Sequence, residues 1–345
     1  MYGIIARLSN GWRRQRGLGG TGTGLPSGPF ARTVRTMRTI ILGGTGFIGS
    51  ALARLLAGQG YAVIVPSRRP DKAAAALGPG ITAVGFDGVT GNGFARHIDA
   101  TTAIVNLAGE NIADGRWTPD KKRRILESRL DAGAAVMDAI RQAEAPPAVL
   151  VQASAVGFYG ARGAEPVGED AAPGTNFLAQ VASRWEDSTR EAEALGVRRV
   201  VVRTSMVLGP GGALTKMLPA FRLGLGGPLG AGTQMVPWIH LDDEAGAIAF
   251  LMQTPGLSGP FNLAAPEAVD SRGFARALGR ALGRPAVLPA PGFALKLLLG
   301  QLAEEVLLSG VRAEPTRLLA AGYRFRHPTL DGALAGALAD ILGQA

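Results

Sequence analysis

The chain reads as an α/β protein: a doubly wound parallel sheet, followed by a smaller, mostly helical lobe at the C-terminal end. Three observations predict this. An apolar run at Ile40-Ile41-Leu42 breaks into glycines and resumes with helical periodicity. Further short apolar runs, each followed by a helical stretch, recur as far as about residue 208, as βαβ units do. Beyond that point the runs give way to helices punctuated by proline and glycine.

The first unit is the most informative. Gly43, Gly44, Thr45, Gly46, Phe47, Ile48 and Gly49 hold the spacing Gly44-x-Gly46-x-x-Gly49 between a strand and a helix predicted over Phe47 to Gly58. Such glycines give a tight turn, a close backbone approach to a diphosphate and close helix packing, with free N–H groups of the helix start facing the phosphates. With 50 glycines in the chain, a plain structural turn is the competing explanation. The flanking strand, and a second strand at Tyr61 to Val65, favour a dinucleotide site of the Rossmann type.

The second strand leads to Ser67 and Arg68. NAD-preferring sites carry an acid here for the ribose 2′-hydroxyl, whereas a guanidinium suits a 2′-phosphate, so the expected cofactor is NADP(H). A solvated loop arginine is the alternative. A third strand, Ile81 to Phe86, ends at Asp87, placed for the adenine end. The fourth, Ala103 to Asn106, runs into Ala108 and Gly109, small enough for a backbone to lie against the cofactor, and then Glu110. Thr118 and Pro119 cap a helix to about Ala143. The fifth strand, Val149 to Ala153, delivers Ser154 to the crevice rim, with Tyr159 following. A helix over Asn176 to Leu195 and a strand over Val197 to Val202 lead to Met206, beside the cofactor. Asp242 reads as the cap of the helix that ends at Met252, and Phe261 to Leu263 as a short strand.

The expected organisation is a basic tail over 1–36, a dinucleotide-binding domain over 37–235 with a strand and helix returning at 236–265, and a helical domain over 266–345. Net charge is +9. Residues 1–36 hold six arginines and no acid, so the remainder carries 9 − 6 = +3. That tail is low in complexity and expected to be disordered, and Met37 raises the alternative of an over-extended gene start. Without an accompanying aromatic and basic constellation, the charge does not predict nucleic-acid binding. Cysteine is absent and histidine occurs at 97, 240 and 327 alone, so no metal centre is expected. No apolar run reaches membrane-spanning length, and a cytoplasmic location with a small-molecule substrate is expected. Substrate and oligomeric state are left open.

These residues resemble the extended short-chain dehydrogenase/reductase superfamily. More closely, they are similar to its atypical "epimerase family" branch, which is NAD-dependent epimerase/dehydratase-like and carries a C-terminal domain of unknown function. The matching stretches include Gly43 to Gly49, Asn106 to Gly109, Ser154 to Gly160, Trp185-Glu186, Gly209 to Gly212, Trp238 to Asp243 and Gly259 to Asn262, in order over about 37–330. The resemblance implies NAD(P) binding and a serine, Ser154, that orients a carbonyl. The superfamily's chemistry uses a Tyr-x-x-x-Lys dyad, yet no tyrosine here has a lysine four residues on, Leu178 and Ala182 stand where the pair belongs, and the resemblance implies that the branch shares this gap. Tyr159 and Glu110 are the candidate substitutes as proton donor. Two functions are expected as alternatives, an NADP(H)-dependent oxidoreductase or epimerase-like enzyme and a non-catalytic NADP(H)-binding sensor or interaction protein.

Overall fold

The computed structural model describes residues 37–343, so the expected tail over 1–36 lies outside the described residues. Eleven strands occur among the described residues: β1 (Arg38–Leu42), β2 (Ala62–Ser67), β3 (Ile81–Gly85), β4 (Ala103–Asn106), β5 (Val149–Ala155), β6 (Pro166–Val167), β7 (Arg198–Thr204), β8 (Met206–Leu208), β9 (Trp238–His240), β10 (Gly259–Leu263) and β11 (Arg312–Ala313). Seven form one sheet in the order β10-β7-β5-β4-β1-β2-β3, and every pairing in it is parallel. The doubly wound expectation holds, with β10 added at the outer edge.

Strand alternation splits the core between two faces. Ile41, Val63, Val65 and Val105 point to one side, where Leu52 and Leu56 of the helix Phe47–Gly58 and Ile248 and Leu251 of the helix Leu241–Gln253 cover them. Ile40, Leu42, Ile64 and Ile104 point to the other, against Val136, Met137 and Ile140 of the helix Pro119–Gln142. Both faces are covered, which is why the strands read as unbroken apolar runs rather than alternating ones.

Some boundaries differ from expectation. The helix expected to reach Leu195 is Phe177–Asp187, followed by a 3₁₀ turn at Arg190–Glu193. Ser188 Oγ donates to the Trp185 carbonyl at 2.7 Å, and Thr189 Oγ1 donates to buried Gln152 Oε1 at 3.2 Å, so side chains draw the backbone out of the helix. Asp242 is not the cap of its helix. His240 is, its Nδ1 accepting from the Asp242 N–H at 3.1 Å, while Asp242 stands in the first turn. Ser154 lies within β5, which runs on to Ala155.

The C-terminal segments are pinned to the parallel layer by specific bonds. β11 pairs with β6, and the Glu305 carboxylate accepts from the N–H groups of Phe177 and Leu178, capping that helix alongside Asn176. The glycine-rich stretch 224–232 lies against 285–290, with Ala290 N donating to Pro228 O at 3.0 Å and Gly230 N to Ala290 O at 2.9 Å.

Candidate functional site

In an open parallel sheet a ligand crevice forms where strand order reverses, here between the carboxyl ends of β1 and β4. Each glycine of the first turn meets a different crowding. Gly43 has φ +76°, and a Cβ there would lie 2.9 Å from the Leu107 carbonyl carbon, so the turn after β1 touches the loop after β4. A Cβ on Gly44 would lie 2.7 Å from a Val65 methyl. Gly46 caps the helix with no side chain, and its N–H donates to Gly43 O at 2.9 Å. A Cβ on Gly49 would lie 2.2 Å from that same oxygen. The N–H groups of Thr45, Phe47 and Ile48 have no partner among the described residues, and the first helical turn holds no acid. This is a cradle for an anion.

At the β2 and β3 ends, Ser67 Oγ accepts from Arg69 N at 3.1 Å. Arg68 is exposed, has no hydrogen bond or ion pair among the described residues, and runs its stem past Gly88. Asp87 folds its own loop. Its carboxylate accepts from the Thr90 hydroxyl at 2.7 Å and from the N–H groups of Thr90 and Val89 at 2.8 Å, which hold its pKa down at about 2.

At the β4 end, buried Asn106 donates to Gln152 Oε1 at 3.0 Å and accepts from Ala108 N at 3.3 Å, shaping the turn. Gly109 faces the Arg129 guanidinium, 3.0 Å from where its Cβ would stand. Arg129 also donates to the Glu110 and Ile125 carbonyls and lies 4.7 Å over the Trp185 ring; burial lowers its pKa to about 10. Glu110 accepts from Lys121 Nζ at 2.8 Å, and that hydrogen bond holds its carboxyl below the usual range. Half-buried Met206 begins β8, next to the Gly209 to Gly212 loop that packs on the Phe47 ring.

Ser154 and Tyr159 are placed together, but in the interior. Ser154 is buried and its Oγ donates to Glu186 Oε1 at 2.6 Å. Arg203 grips the same carboxylate with two bonds, at 2.9 and 3.0 Å, stacks 3.6 Å from the Phe158 ring centroid, and donates to Tyr159 Oη at 2.9 Å. Tyr159 Oη in turn donates to Asn262 Oδ1 at 2.6 Å. Burial raises the phenol's pKa, so it holds its proton. For Arg203, burial favours loss of charge, but the hydrogen bonds and charge of Glu186 outweigh it and the pKa is raised. The network ties β5, β7, β10 and the helix Phe177–Asp187 into one unit. On that helix Leu178 packs with Trp117, Ile125 and Leu302, and Ala182 with Val156 and Phe158.

Sequence reasoning missed Arg203 and Glu244. A lone arginine after a valine run gives no sign of its partner, and an acid in a first helical turn reads as an exposed complement to the helix dipole. Glu244 is fully buried, accepts from the Thr204 hydroxyl at 2.7 Å and leaves Oε2 without a partner. Burial pushes its pKa from the ordinary 4.5 up to about 8. Because the folded value is raised, the unfolded chain ionises first, and stability falls as pH rises from about 4.5 to about 8. Glu244→Gln is expected to flatten that decline, measured as melting temperature against pH; an unchanged slope would remove Glu244 as its cause.

His240, Asp242 and His327 also come together. The His240 Nδ1 accepts from the Asp242 N–H at 3.1 Å, its buried Nε2 has no partner among the described residues, and the two imidazole rings are tilted by 33° with their centroids 3.8 Å apart.

Comparison with known proteins agrees with this architecture. Residues 39–264 match the NAD dependent epimerase/dehydratase family, and residues 290–337 match a domain of unknown function, DUF1731. Epimerase family protein SDR39U1 of Bos taurus is 40% identical over 303 residues, which span 86% of this chain and 98% of that protein. Epimerase family protein Mb2239 of Mycobacterium bovis is 40% identical over 295 residues, spanning 85% and 95%. The crystal structure of human epimerase family protein SDR39U1 (isoform2) with NADPH superposes with a TM-score of 0.77 at 35% identity, covering 88% of this chain and 100% of that one. A glycine cradle at the strand-order switch of an all-parallel sheet, matched in sequence along most of the chain, places this protein in the NAD dependent epimerase/dehydratase family.

Proposed function

We propose that the chain binds NADP(H) across the crevice and works as an epimerase/dehydratase-like oxidoreductase on a small substrate. The observation that carries the cofactor choice is the β2 end, where Arg68 and Arg69 stand exposed and the acid expected of an NAD site is replaced by Ser67. The structure of the human relative with NADPH supports it. The Gly43 to Gly49 turn would hold the diphosphate through the free N–H groups of Thr45, Phe47 and Ile48. Asn106, Ala108 and Gly109 would bound the far half of the nucleotide, with Asn106 setting the loop's path through its bond to Ala108 N. When bound, a nicotinamide supplies or accepts a hydride.

The chain's part in such chemistry is positioning. With Arg129 against Gly109 and Lys121 on Glu110, the β4 rim presents fixed charges beside the crevice. Preorganised dipoles and charges of this kind act on developing charge without reorganising.

A second reading, a non-catalytic NADP(H)-binding sensor, is favoured by one observation. The Ser154 and Tyr159 hydroxyls are both engaged by buried partners, and the helix Phe177–Asp187 offers Leu178 and Ala182 where a tyrosine and lysine would act. Consumption of NADPH with a panel of small carbonyl compounds separates the two readings. The cofactor assignment is checked by fluorescence titration: NADPH is expected to bind at least about tenfold more tightly than NADH, a difference of roughly 1.4 kcal/mol. Arg68→Ala is expected to remove most of that preference. Equal affinities in the unaltered protein would overturn the 2′-phosphate assignment.

A further inference from the structure

The strand order puts the two halves of a bound dinucleotide on opposite sides of the switch point. Arg68 follows β2, so the phosphorylated adenosine belongs over β2 and β3, and the nicotinamide half falls on the other side of β1, over β4 and β5. The loop after β4 borders that half. It touches the glycine cradle through Leu107 and the Arg129 guanidinium through Gly109.

Two acids stand on this loop, and both are matched. Lys121 and Arg124 hold the Glu110 carboxylate at 2.8 and 3.6 Å, and Lys216 holds Asp114 at 2.8 Å. Beyond the loop, Arg203 matches Glu186, and the Glu244 carboxyl, with a pKa of about 8, is mostly protonated at neutral pH. Arg129 has no such match. Its Nη1 donates to two neutral acceptors, the Glu110 and Ile125 carbonyls, and it makes no ion pair among the described residues. Its Nε and Nη2 have no hydrogen-bond partner among those residues, yet neither is sealed from solvent. That edge of the guanidinium reaches open space beside Gly109. Three cations, Lys121, Arg124 and Arg129, thus face the one carboxylate of Glu110 at this rim.

A surplus of positive charge here bears on the oxidation state of the cofactor. Loss of a hydride from NADPH removes two electrons and one proton and leaves the nicotinamide ring with one positive charge. The diphosphate and the 2′-phosphate are the same in both forms, so the glycine cradle and Arg68 cannot tell them apart. A cation beside the ring can, because it repels NADP+ and not NADPH. Burial, which lowers the Arg129 pKa to about 10, also keeps water from screening that repulsion.

We infer that Arg129 sets the crevice to hold NADPH and to reject NADP+, so that occupancy follows the ratio of the two nucleotides. This rests on the NADP(H) reading above, and it applies to an enzyme and to a sensor alike. It is tested by titrating the full chain separately with NADPH and with NADP+. NADPH is expected to bind at least about tenfold more tightly. Arg129→Met, which keeps an apolar stem without the charge, is expected to bring that ratio below about threefold, and Arg129→Lys to restore most of it. Loss of a merely structural prop would weaken both forms alike, so an unchanged ratio in Arg129→Met would overturn the inference. Glu110→Gln carries the test should the Arg129 variants fail to fold. It removes the acid from the rim and is expected to widen the preference about twofold or more, and an unchanged or narrower preference would overturn the inference. Equal affinities in an unaltered chain that does bind NADPH would overturn it while the cofactor reading stands. Binding of neither nucleotide at millimolar concentration would overturn both.

Discussion

Replacing Glu186 with alanine is expected to destabilise the protein by about 3–5 kcal/mol, the usual cost of removing one partner from a buried ion pair. At about 2–4 °C per kcal/mol for domains of 150–250 residues, this corresponds to a melting temperature lower by roughly 10 °C. Three observations set the size. The Arg203 side chain is only 5% exposed, its guanidinium makes two bonds to the Glu186 carboxylate, and the same carboxylate accepts from Ser154. With alanine at 186 the arginine keeps only neutral acceptors, the Tyr159 hydroxyl and the Glu169 carbonyl, for a full charge with little access to water. Thermal melts of the two proteins at neutral pH check this. A loss below about 1 kcal/mol, the range of exposed pairs, would show that water reaches the site and that the network does not brace the sheet.

Gly49→Ala is expected to weaken NADPH binding by about tenfold to a hundredfold, the equivalent of roughly 1–3 kcal/mol of overpacking strain at 1.4 kcal/mol per tenfold. The added methyl would begin 2.2 Å from Gly43 O and 2.8 Å from Gly44 Cα, both backbone atoms of the same turn. No side chain can swing aside to relieve it. The turn must open, which carries the Thr45, Phe47 and Ile48 N–H groups away from a common point. Gly58→Ala, near the end of the same helix where a Cβ meets nothing within 4 Å, is the matched control and should leave affinity unchanged. Fluorescence titration of the pair checks it; equal affinity in both variants would place the nucleotide elsewhere.

Much of the architecture was legible in the residues. Strand, glycine turn and helix are written at short range, as a change of period from an apolar run to every third or fourth residue. The cap at His240 was not legible, because Asp242 is the commoner capping residue and only the register of β9 on β8 places the imidazole over the helix start.

The candidate site divides along the same line. Spacing alone singles out Gly44, Gly46 and Gly49, because each serves a backbone turn a few residues long, and it singles out Arg68 by its distance from them. It cannot assign Ser154 or Tyr159. Their hydroxyls are spoken for by Glu186, 32 positions away, and by Asn262, 103 positions away. Nor can it show that Glu244, at the start of an ordinary-looking helix, lies wholly out of water. The amino-acid order thus determined the local geometry, the parallel layering and the family. The packing of distant segments decided which polar groups face the crevice and which brace the core. Burial and the pairing of charges are sums over neighbours that the chain brings together only when it has folded.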